Sequence, residues 1–156
     1  MKRYLFFSLL AFLILSGCDS NDQNISRDIF QYKDSFVGDN SAVGNITNQL
    51  PGAEHLKNFE LKTKEEPYGI ILNYDWTESE QQYKESVINN ATILFTLIQN
   101  VDWITFNSDI LEYTIRKETI QEWYGKKLSE VQNEEELTEM IQKHLENENI
   151  VLELFN

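Results

Sequence analysis

The chain has 156 residues, and 13 Lys and Arg against 26 Asp and Glu give it a net charge of −13. If the first 17 residues are lost as an export signal, Lys2 and Arg3 go with them, leaving 11 against 26, or −15. An acidic excess without a basic stripe excludes nucleic acid, whose phosphates need clustered Lys and Arg, and opposes adhesion of the folded body to anionic lipid.

Lys2 and Arg3 open a run from Tyr4 to Leu15 that is apolar except for Ser8. As a helix its twelve residues rise about 18 Å, too short for a ~30 Å hydrocarbon core but suited to a signal peptide. Leu15-Ser16-Gly17-Cys18 then reads as a lipobox, with cleavage after Gly17 and a diacylglyceryl group on Cys18. The alternative is an uncleaved anchor with a free thiol, but the chain's one cysteine falls at the lipobox position. Two acyl chains, at about 0.8 kcal/mol per buried CH₂, hold where one binds only marginally. The expected location is therefore the outer face of the cytoplasmic membrane, with the membrane a partner through the lipid on Cys18. A lone cysteine leaves no intramolecular disulfide, so stability has to come from the core. Asp19 to Arg27 is polar and without period, a tether of at most ~30 Å. The expected organisation is a signal over 1–17, a lipidated tether over 18–27 and one α+β domain over 28–156.

Ile29 to Phe36 alternates, with Phe30, Tyr32 and Phe36 on one parity, and predicts a strand. Gly38-Asp39-Asn40 is turn chemistry, and Ser41 to Leu50 predicts a short helix through Val43, Ile46 and Leu50, stopped by Pro51-Gly52. Phe59 to Lys64 and Ile70 to Trp76 alternate on either side of Glu65-Glu66-Pro67-Tyr68-Gly69 and predict a hairpin. Thr77-Glu78-Ser79-Glu80 has capping-box spacing. Tyr83, Val87, Ala91, Leu94, Ile98 and Val101 follow at steps of three and four, predicting a helix of about 22 residues. Val101 to Phe106 and Leu111 to Ile115 predict another strand pair. Lys117 to Tyr124 reads as a helix ended by a left-handed Gly125, and Asn133 with Glu136 opens a last helix. The order β-α-β-β-α-β-β-α-α matches the ferredoxin-like (split βαβ) arrangement in its first six elements. That implies an antiparallel sheet with helices mainly on one face.

The segments FQYKDSFVGDNSAVGNITNQLP, FELKTKEEPYGIILNYDW, NNATILFTLIQNVDWITF and YTIRKETIQEWYGKKLSE resemble a bacterial family, domain of unknown function 4825, from about residue 29 to the C-terminus. The resemblance implies a lone lipoprotein of low-GC Gram-positive bacteria, or an extracytoplasmic domain of regulatory metallopeptidases, and hence a sensing or accessory role. It supplies no catalytic residue and no cofactor.

The residues themselves carry no Gly-x-Ser-x-Gly elbow, His-Glu-x-x-His, phosphate-cradling glycine loop or Cys pair. His144 could meet Glu148 at i, i+4, but Glu146 points away, so a solvated acidic helix surface is the plainer reading than a metal site. Glu65 and Glu66 are adjacent on an extended chain and point to opposite sides. Asp39 and Asn40 sit at a helix N-terminus that could receive an anion, although Asn40 acting simply as the cap is the plainer reading. Trp76 and Trp123 could line a groove, because Trp keeps a polar N–H for a rim, or could simply be core. The expected function is a non-enzymatic, membrane-anchored binding or regulatory module, with a membrane protein or a basic extracytoplasmic surface as partner. The alternative is an enzyme or small-molecule-binding protein with an unrecognised carboxylate or aromatic site.

Overall fold

The computed structural model describes residues 28–77, 79–147, 151 and 153–155. The signal through Gly17, the lipobox Cys18, the tether to Arg27 and Glu148 lie outside the described residues.

No strand forms at 29–36. Asp28 accepts a hydrogen bond from the Phe30 N–H at 2.9 Å and opens a 3-10 turn over Ile29–Tyr32, and Ser35 Oγ donates to the Tyr32 carbonyl. These local side-chain bonds compete with ladder pairing and win. Phe36 stays 56% exposed, so the alternation did not mark a buried face. Only Ser35 pairs, in a single parallel bridge to Ile98.

The first helix, α1 (Asn40–Thr47), is capped by Asp39 and not by Asn40: the Asp39 carboxylate accepts from the Ser41 and Ala42 N–H groups. Strands β1 (Leu56–Lys62) and β2 (Gly69–Tyr74) form the expected hairpin. Helix α2 (Glu80–Leu97) starts later than expected, because the capping box is Ser79 with Gln82, and Thr77 lies before it. Strands β3 (Trp103–Asn107) and β4 (Glu112–Arg116) pair as a second hairpin. Helix α3 (Lys117–Tyr124) ends at Gly125, whose φ of 64° is the left-handed cap glycine allows. Asn133 caps α4 (Glu134–Leu145) through the Glu136 N–H.

The chain is α+β, but the sheet is mixed and not antiparallel. Its order is β1-β2-β3-β4, and β2 runs parallel to β3. Helix α2 returns the chain to the end where β2 began, which is what a parallel neighbour requires. With no strand at 29–36, the split βαβ loses its first member and the ferredoxin-like order does not arise.

One sheet face carries Ile70, Leu72, Tyr74, Ile104, Phe106 and Ile115. They share a buried cluster with Tyr83, Val87, Ala91 and Leu94 of α2, Val43 and Ile46 of α1 and Ile120 of α3. Burying each large apolar side chain is worth about 1.5–3 kcal/mol. The opposite face mixes Ile71 and Trp103 with polar residues. Asn107 donates to Asn73 at 3.0 Å and Asn73 to Asn58 at 2.7 Å, a row across three strands, and Thr105 and Thr114 share a bond at 2.8 Å.

Candidate functional site

Asp39, Asn40, Trp76 and Trp123 do not form one site. The Asp39 carboxylate occupies the position an anion would take at the start of α1, and Asn40 is the first helical residue behind it. Trp76 ends the strand run against His55 at 5.4 Å and Tyr83 at 5.3 Å between ring centroids, and its indole lies over Gly52. The Trp76 Nε1 is buried and has no hydrogen-bond partner. Trp123 belongs to a different group, with Tyr124 at 4.7 Å and His144 at 4.9 Å. Both tryptophans are half-buried and pack against the main core, so part of each ring does core work.

In the polar interior the Asn90 amide nitrogen is bonded, while its Oδ1 is buried without a partner. Asn90, fully buried on α2, donates to the Pro51 carbonyl at 3.1 Å and lies 3.3 Å from both the Tyr74 hydroxyl and Ser86 Oγ. Burial raises the Tyr74 phenol well above its ordinary value, and pushes Tyr83 and Tyr124 up to about 12. Two carboxyls move the other way. Glu80 is lowered by hydrogen bonds from Lys84 and Tyr113, and Glu136 by bonds from Lys126 and the Gln132 N–H. Among the described residues no group of three or more His, Cys, Asp and Glu is placed to hold a metal. His144 keeps its Nδ1 2.9 Å from the Met140 carbonyl, between two aromatic rings.

A concave feature with an apolar floor lies elsewhere. A groove of about 580 Å³ runs between α2 and α4, floored by Ile29, Ile93, Leu137, Ile141 and Leu145. Val131, Leu137 and Ile141 form a small second core that seats α4, with Ile93 and Leu145 packed at its edge and still half-exposed. Gln49, Asn89 and Gln142 supply polar groups, and Glu134 is the charged lining residue. A volume in this range suits a ligand or a row of docked side chains. Sequence reasoning missed the groove because its walls come from residues 29, 93 and 141, far apart in the chain. The available signal was Ile93, an apolar residue lying off the stripe that faces the sheet.

No helix among the described residues is long and apolar enough to cross a membrane. The family model for a domain of unknown function (DUF4825) matches residues 29–121, so α4 and the groove wall it supplies lie beyond the match. No curated protein and no solved structure matches the chain.

Proposed function

The chain belongs to the DUF4825 family, and from that premise we propose that it is a lipid-anchored, non-enzymatic binding or regulatory module displayed on the outer face of the cytoplasmic membrane. The observation that carries this reading is the placement of the only cysteine, Cys18, directly behind a twelve-residue apolar run and Ser16-Gly17. Two acyl chains on Cys18 supply the membrane affinity that one would not. Small-molecule binding is the second reading, favoured by a groove volume inside the ~300–1,000 Å³ range of ligand sites.

Membrane fractionation of the wild-type chain and of Cys18→Ala tests the anchor. The wild type is expected to pellet with membranes through a high-salt wash, and the variant to appear as soluble or unprocessed protein. Identical fractionation together with an identical processed mass for the two would contradict a lipid anchor.

A further inference from the structure

We propose that the α2–α4 groove docks an amphipathic helix of another polypeptide, apolar on the inserted face and bearing Lys or Arg beside it. This rests on the reading of the chain as a binding module and names the partner's chemistry. The floor dictates the apolar face. Ile93 and Leu145 stand half-exposed at the edge of a core that Val131, Leu137 and Ile141 have already closed. Two helices forming a trough present side-chain spacings that a third helix can match, through anchors at i, i+3, i+4 and i+7.

The rim dictates the charge. Glu134 lines the groove, and Glu135 follows it in the first turn of α4. On α2, Glu85 lies one turn before Asn89 on the same helix row, which continues to Ile93. None of these three carboxylates enters an ion pair among the described residues. Lys143, nine residues after Glu134, falls on the opposite side of α4, and Lys33 is held by the Ser129 and Val131 carbonyls on the Glu136 side. The same acidity opposes a second copy as occupant, since two bodies of −15 repel at close approach. The groove also sits where the anchored chain enters the fold, because Ile29 lines it. Residues 18–27 span at most ~36 Å when fully extended, so the partner presents its helix within that reach of the membrane surface.

The test uses the mature lipidated chain in phosphatidylcholine nanodiscs, with empty nanodiscs as the subtracted reference. The probe is a fluorescein-labelled peptide of about 18 residues, five turns of Leu, Ala and Lys with the leucines on one face. A scrambled peptide of the same composition is the comparison, at ~0.15 M salt, where the Debye length is ~8 Å. The expected result is saturable binding about tenfold tighter for the one-faced peptide, lost about tenfold in both Glu134→Lys and Ile93→Glu, and unchanged in Glu112→Lys on the far sheet face. Glu134 is exposed, so its variant reports on the groove even if Ile93→Glu unsettles the fold. Equal affinity for the two peptides, no saturable binding, or insensitivity to Glu134→Lys would overturn the proposal. Fractionation reads the anchor separately, so a groove that fails on a correctly anchored chain counts against the docking site and not against the module.

Discussion

Gly69→Ala is expected to destabilise the fold by about 3 kcal/mol, a fall in melting temperature on the order of 10 °C. Local propensity predicts the reverse, since glycine inside a strand is unfavourable and β-propensity spans only ~1 kcal/mol. Packing decides the sign. A methyl group on Gly69 would lie 2.1 Å from Trp103 Cε2 and 2.3 Å from both Cδ2 and Cζ2, well inside van der Waals contact. Gly69 faces Trp103 in the parallel register, and the indole is held there by Nε1 donating to the Pro67 carbonyl at 3.0 Å. The ring must either leave that bond or push the central strand. The check is a double-mutant cycle by urea denaturation. In a Trp103→Ala background the same methyl should cost less than about 0.5 kcal/mol, so the cycle reports a coupling above about 2 kcal/mol. Additive effects would show that the close approach is not what requires glycine.

Asn90→Leu is expected to cost about 3 kcal/mol, although leucine is the better helix former by a few tenths and the site is completely buried. The amide nitrogen of Asn90 is what the Pro51 carbonyl, the Tyr74 hydroxyl and Ser86 Oγ face. An isosteric apolar side chain fills the space and leaves the Pro51 carbonyl and its neighbours without that donor. Leaving one buried polar group unpaired costs ~1–3 kcal/mol, which outweighs both gains. Asn90→Asp, which keeps the shape and loses the donor, should also destabilise. A neutral or stabilising Asn90→Leu in urea titrations would contradict this account of the loop–helix junction.

The parts of the fold legible in the sequence were those fixed by short-range chemistry. Gly125 after Lys117–Tyr124 admits little but a left-handed cap, and it ends α3 as expected. The stripe from Tyr83 through Leu94 is buried as its spacing predicts. Where two residues offered the same chemistry, the choice depended on the chain's path: Asp39 and not Asn40 caps α1, and Ser79 and not Thr77 opens α2. Periodicity carries no direction. Ile70–Leu72–Tyr74 and Ile104–Phe106 alternate identically whether their strands run parallel or antiparallel, so the mixed sheet was not readable. At residues 29–36 the aromatic alternation misled, because the bonds made by Asp28 and Ser35 act over two or three residues and outcompete a distant ladder. The groove needed the structure, since Ile29, Ile93 and Ile141 come together only after α4 docks. The resemblance, read to the C-terminus, is matched by the family model only to residue 121, which leaves that helix outside.

The central claim is that this body, held on a lipid at Cys18, engages a partner at the membrane. Chemical crosslinking in intact membranes followed by pull-down of the tagged chain tests it most directly, with Cys18→Ala as the control. The account predicts one reproducible membrane-protein partner that is crosslinked to the wild type and absent from the variant. A correctly anchored chain with no partner, or a partner retained undiminished by Cys18→Ala, would contradict it.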